Sequence, residues 1–178
     1  MSSSNFPAFL SFVWQPNYDS PAQGYHVTPG DSGGGTYGGV IETTWAGAVA
    51  RGMVTGVLRN ATRNQLSLVL RDEFWGSVCD ALPSGIDLML GNGRMMTGAY
   101  PKIFQRCLGL TGSDVDGNIG DETLRVAQQA DATTLISALT GAHYAYLANL
   151  RTWSEFGAGW TTRISAARNA ALALLMAK

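Results

Sequence analysis

The sequence predicts a mainly α-helical protein with one glycine-rich, loop- and hairpin-bearing segment near its N-terminus. Three observations carry that prediction. Apolar residues recur at three- and four-residue steps through most of the chain after Glu42. Residues 16–40 are rich in Gly, Pro, Ser and Asn and hold no such period. Of the 178 residues, 46% are apolar, with five Trp, six Tyr and six Phe, enough to bury a sizeable core in one domain or in one domain with a closely packed subdomain.

Phe6 to Trp14 reads as a first helix, because Phe6, Phe9, Leu10 and Val13 fall on one stripe and Pro16 ends it. Residues 16–40 follow as loops with a small hairpin; so long an irregular stretch inside a domain is usually functional. Glu42 to Arg51 resumes a helix, broken near Gly52 and Gly56. Ala61 to Leu82 reads as one longer helix, with Leu66, Val69, Leu70, Phe74, Val78 and Leu82 in register and Asn60 or Thr62 as its cap. Pro83-Ser84 starts the next, Ile86 to about Met96, and Pro101 opens a short one to Leu108. Asp114 to Gly120 is a turn-rich connector. Helices over Glu122–Ala130, Ala132–Leu150 (capped by Asp131) and Trp160–Met176 complete the chain.

Twelve basic and thirteen acidic residues leave a formal charge of −1, so overall charge draws the chain to neither nucleic acid nor an anionic membrane. Cys79 and Cys107 lie among apolar residues and read as buried thiols in preference to a disulfide. With only His26 and His143 beside them, no metal-ligand spacing exists, and no metal or organic cofactor is expected. The N-terminus lacks a basic start and a long apolar run, so no signal peptide is expected. The apolar run Ala166–Ala177 is interrupted by Arg168 and Asn169 and is too short to span a bilayer. Membrane insertion is not expected.

The chemistry concentrates in Thr28–Val40, T-P-G-D-S-G-G-G-T-Y-G-G-V, where six glycines surround Asp31 and Thr36. Glycine suits a chain that must take positive φ or approach a ligand closely. A carboxylate base and a hydroxyl at this spacing can jointly hold a water. The same pair can also serve as an Asx-type turn with a threonine that satisfies local backbone groups.

D-S-G-G-G-T-Y-G-G-V at 31–40 resembles the D-P-G-G-x-T-x-x-G-[IV] segment of phage and bacterial N-acetylmuramidases, glycoside hydrolase family 108. D-L-M-L-G-N-G at 87–93 is similar to that family's D-x-x-x-N-x-G helix. I-F-Q-R-C-L-G-L at 103–110 and V-D-G-N-I-G-D-E-T-L at 115–124 are similar to its Q-x-x-L-G and V-D-G-x-x-G-x-x-T-L segments. A-H-Y-A-Y-L at 142–147 and F-G-A-G-W-T-T-R at 156–163 resemble its R-x-x-[FY]-[FY] and F-x-x-G-W-x-x-R endings.

The resemblance implies a lysozyme-like fold, a helical body with a small loop- or hairpin-rich lobe lining a substrate cleft. It implies a catalytic lobe over 1–82 and a helical peptidoglycan-binding half over 83–178, packed as one compact unit. It implies hydrolysis of the β-1,4 bond between N-acetylmuramic acid and N-acetylglucosamine in peptidoglycan glycan strands, by a monomer. A phage endolysin is the expected source, made in the cytoplasm and released to the wall by a holin-type pore or specialised export.

One departure matters. The family, like phage-type lysozymes, places a glutamate at the end of the first helix in E-G-G-[YF], then the aspartate, then the threonine. Here Q-P-N-Y stands there, so Gln15 occupies the acid's position, and an insertion over roughly Asp19–Tyr25 precedes Asp31. A glutamine cannot protonate a leaving oxygen, and losing a general acid costs about 10²–10⁴-fold in rate. Three alternatives stay open. Asp19 is the acid, buried among Trp14, Tyr18 and Tyr25; or Gln15 marks a disabled site that binds without cleaving; or Glu42 supplies the proton. With Asp19 as acid, Asp31 and Thr36 would position water on the opposite face in an inverting mechanism. Tyr25 or Tyr37 can stack on a sugar or merely pack the loop. His26 is a base or a structural histidine. Asn92 and Arg94 either contact an N-acetyl or hydroxyl group or sit at a helix end capped by Gly93. Asp116 reads as a cap, and Trp160 and Arg163 as packing for the last helix.

Overall fold

The computed structural model describes residues 5–16, 18–28 and 34–177. They fall into two compact units, Phe6–Gly76 and Ser77 to the C-terminus together with Asn5.

The first unit opens with α1 (Phe6–Val13), whose Phe9, Phe12 and Val13 are buried. A single 3-10 turn, Pro21–Gln23, follows, capped by Ser20, whose Oγ accepts from the Ala22 amide. Three short antiparallel strands come next, β1 (His26–Val27), β2 (Gly35–Tyr37) and β3 (Val40–Ile41), in that order across the sheet. The register pairs His26 with Thr36, Val27 with Gly35, Thr36 with Ile41 and Tyr37 with Val40. Gly38 and Gly39 connect β2 to β3 at φ of 57° and 83°. Two positive φ values in a two-residue loop match the right-handed twist of the flanking strands, and glycine reaches them without a Cβ clash. Thus the hairpin expected in residues 16–40 forms, and its tight turn is the second glycine pair.

α2 (Glu42–Ala50), a 3-10 turn at Leu58–Asn60 and α3 (Arg63–Leu70) complete the packing. Thr62 caps α3 in a reciprocal box with Gln65. The single helix expected over Ala61–Leu82 does not continue. After Leu70 the chain widens into a π-helical turn, Arg71–Trp75, and Gly76 at φ 61° redirects it before α4 (Gly76–Asp80). The extra residue carries Trp75 into the aromatic core, fully buried, with its ring 5.1 Å from Phe9 and 5.9 Å from Phe6. Burying an indole outweighs the poorer geometry of one widened turn.

The second unit is helical: α5 (Ile86–Met96), α6 (Tyr100–Cys107), α7 (Asp121–Gln129), α8 (Ala132–Ala148) and α9 (Trp153–Met176). α5 is buried from Ile86 through Gly93 and packs on α6, α8 and α9. Its buried Asp87 accepts from the Gly85 and Leu88 amides and from Asn5 Nδ2, so the carboxylate closes the helix start. Asp131 caps α8 as expected, accepting from the Thr134 amide at 2.8 Å. α9 starts seven residues before the expected Trp160. Gly157 resembles a breaker in sequence, but a Cβ there would lie 2.6 Å from the Trp153 ring, so the indole occupies that space. Cys79 is buried and Cys107 half-buried, and no disulfide joins them. Among the described residues no helix is long and apolar enough to cross a membrane.

Candidate functional site

α1 ends in a cluster that ties it to the β2–β3 turn. Trp14 Nε1 donates to the Gly38 carbonyl at 3.0 Å, and the Arg63 guanidinium lies 5.6 Å from the Trp14 ring centre. Gly38 is buried at this junction; a Cβ there would meet Leu66 Cδ1 at 2.8 Å and Pro21 Cγ at 3.3 Å. Gln15 follows directly and is exposed, its carbonyl accepting from the Tyr18 amide at 3.0 Å. Asp19 is half-buried, and its amide donates back to Val13 at 3.1 Å, curling the segment over the end of α1. Of the aromatic neighbours expected for Asp19, Tyr18 packs on Phe12 at 5.5 Å.

Thr36 sits on the central strand, paired on one side with His26 and on the other with Ile41. His26 Nδ1 lies 3.3 Å from the Gly24 carbonyl, a short-range contact within its own loop. Tyr37, half-buried, pairs with Val40 beside the glycine turn. Asp31 lies outside the described residues; in sequence it belongs to the 28–34 connection, which the Val27–Gly35 pair closes.

Tyr25 packs within its own unit. Its hydroxyl donates to Glu42 Oε1 at 2.5 Å, and the Arg59 guanidinium covers the ring at 5.0 Å. The Glu42 carboxylate, with burial second, holds the phenol above its ordinary pKa. One ring face and the hydroxyl are therefore used within the protein. The stacking platform expected here is not open on that face, and the neighbour expected for Asp19 is engaged by Glu42. Glu42 itself is exposed and is the first residue of α2.

Asn92 and Arg94 belong to the second unit. Asn92 is 2% exposed; its Oδ1 accepts from Arg163 Nε at 2.9 Å, and its Nδ2 faces Met96 Sδ at 3.7 Å. Asn92 thus links α5 to α9. Gly93 does not end the helix, which runs on to Met96; a Cβ at 93 would lie 2.2 Å from the Tyr100 ring, so the glycine admits that ring. Arg94 is half-buried in the last turn of α5. Arg163 packs α9 on the body as expected.

Asp116 does not cap α7, whose N-cap is Gly120. Its Oδ1 accepts from the Asn118 amide and from Gln105 Nε2, both at 2.8 Å, and these bonds hold its carboxyl below the usual range. Gln105, 1% exposed, also accepts from the Gly117 amide and donates to the Asn118 carbonyl. Gln105, Arg59 and Gly38 are the organising residues that sequence reading passed over. Gly38 and Gln105 lay in quoted motifs; Arg59 sits in a stretch without period.

Three comparisons bear on identity. A solved structure, "Structure of Brucella abortus SagA", is 30% identical at a TM-score of 0.77, covering 96% of this chain and 92% of that chain. The family model described as Glycosyl hydrolase 108 matches residues 23–98, and that described as Predicted Peptidoglycan domain matches residues 100–165. The chain belongs to the glycosyl hydrolase 108 family. No curated protein matches it. Its fold is the mainly α, lysozyme-like class that the sequence predicts, with the small sheet in the N-terminal unit. As a glycosyl hydrolase 108 protein with a peptidoglycan domain, it is a glycosidase-family member directed at peptidoglycan. The matched glycosyl hydrolase 108 residues begin at Gln23, so Gln15 and Asp19 precede them while Thr36 and Tyr37 fall inside.

Proposed function

We propose that the protein is an N-acetylmuramidase that cleaves the β-1,4 bond between N-acetylmuramic acid and N-acetylglucosamine in bacterial cell wall. The observation that supports this reading best is the bond from Trp14 to Gly38, which holds the end of α1 against the hairpin bearing Thr36. In this reading Asp19 protonates the leaving glycosidic oxygen. Asp31 and Thr36 hold the attacking water on the opposite face, and its proton passes to Asp31. Such an inverting pair needs carboxyls about 6.5–9.5 Å apart. Glu42 is the weaker candidate for the acid, since its Oε1 is an acceptor for Tyr25. Delivery fits an endolysin: synthesis in the cytoplasm, release by a holin-type pore or a specialised exporter, and action as a monomer on the wall.

Gln15 favours a second reading, a wall-binding protein without turnover, because an amide occupies the position of the family's acid. Turbidity of purified cell walls separates the two. Clearance by the parent chain that falls about 10²–10⁴-fold in Asp19→Asn and in Asp31→Asn supports the muramidase. Wall pull-down without clearance, together with activity appearing in Gln15→Glu, supports the binder.

A further inference from the structure

The three-stranded sheet is tied together by a residue of this chain's own insertion. Tyr25 lies at the end of that insertion, just before β1, and Glu42 immediately follows β3. The bond between them therefore spans all three strands. To make it, the Tyr25 phenol lies on Gly35 of the central strand. A Cβ at 35 would fall 1.9 Å from the hydroxyl oxygen and 2.1 Å from the ring, so no side chain fits beneath. The family pattern D-P-G-G-x-T leaves the position before threonine open, and here it is glycine. The Arg59 guanidinium covers the ring, 5.0 Å from its centre. At Gly34 a Cβ would stand 3.7 Å from Glu42 Oε2, so the same carboxylate reaches the end of the connection.

We propose that Tyr25, Glu42 and Arg59 form a clamp that fixes the strand bearing Thr36 between β1 and β3, making Tyr25 and Glu42 positioning residues for the glycan-cleaving site. The clamp rests on the muramidase reading for its role, though not for its existence. Tyr25 carries the last residues of β1's approach, Gly35 directly precedes Thr36, and Glu42 starts α2. The hydroxyl–carboxylate bond holds these three points together and limits the ways Thr36 can be arranged. Misplacing a catalytic group by about 1 Å can cost on the order of 10²-fold in rate, so a positioning clamp acts on turnover more than on binding.

The test compares Tyr25→Phe, Glu42→Ala and Glu42→Gln with the parent in two measurements. Hydrogen–deuterium exchange reads the strand pair whether or not the protein turns over. The clamp predicts faster exchange in peptides covering residues 25–37 in Tyr25→Phe and Glu42→Ala, with peptides from α8 unchanged. Glu42→Gln, which keeps an acceptor for the hydroxyl, stays near the parent. Release of reducing ends from cell wall reads function. The clamp predicts kcat lowered about 10–100-fold in Tyr25→Phe and Glu42→Ala with KM within about twofold, partial rescue in Glu42→Gln, and no change in the limbs of the pH profile. Unchanged exchange in both Tyr25→Phe and Glu42→Ala overturns the clamp. So does a Glu42→Gln variant as inactive as Glu42→Ala with one pH limb lost, which makes Glu42 the acid itself. A parent chain that releases no reducing ends sinks the muramidase reading instead, and the exchange result still decides the clamp.

Discussion

At Gly38 a single hydrogen in place of a side chain lets α1, the 3-10 turn after it and α3 meet the hairpin. Its φ of 57° and the nearby Leu66 and Pro21 atoms leave an alanine nowhere to go. Gly38→Ala is expected to destabilise the protein by about 1–3 kcal/mol, combining left-handed strain with overpacking, seen as a lower urea midpoint. The same reasoning reaches His143, which is 1% exposed and stands edge-on to the fully buried Tyr100, ring centres 4.6 Å apart. Burial first, and the Arg163 charge second, push its pKa down from 6.5 to about 4. Below pH 6.5 the unfolded chain accepts a proton that the folded one refuses until about pH 4. Stability therefore falls as pH drops through that window and the contribution is gone below it, a loss on the order of 3 kcal/mol. Urea midpoints for the parent and His143→Leu at pH 7 and pH 4 check this: the variant should lose distinctly less on acidification.

Among the elements, helix ends were the most legible because capping is local chemistry. Asp131 reaches the Thr134 amide three residues on as read from the sequence, and of Asn60 and Thr62 it is Thr62 that caps α3 by exchanging bonds with Gln65. Asp131→Ala should cost about 0.5–2 kcal/mol by denaturation, while Asp131→Asn keeps most of the cap. Where elements depart from the expected bounds, an aromatic ring decides. Trp75 widens the end of α3 into a π turn, Tyr100 lets α5 run through Gly93, and Trp153 seats on Gly157 inside α9. Each partner lies within a few residues, but a helical period does not show where its ring will pack.

For the whole molecule, composition limits what electrostatics can do. With twelve basic and thirteen acidic residues, attraction to an anionic wall cannot rest on net charge. Pull-down on purified cell walls should change less than about threefold between 50 and 300 mM salt, since contacts made without ion pairing escape screening. A drop of tenfold or more would mean that wall binding rests on a local basic patch. Polar networks inside each unit then do the organising: Asn92 with Arg163 in one, Tyr25 with Glu42 and Arg59 in the other.

The sequence by itself determined the helical class, the hairpin within residues 16–40, the Asp131 cap and the family, because periods, glycine pairs and motif order are properties of neighbouring residues. It also singled out Gln15, an anomaly visible only against the family's pattern. Tertiary structure alone decided that Asn92 is a buried brace for Arg163, that Asp116 answers to Gln105, and that Tyr25 spans the sheet to Glu42. The reason is physical: a side chain spends its hydrogen bonds on whatever the fold brings within 3 Å, and those partners stand 11 to 71 residues away along the chain.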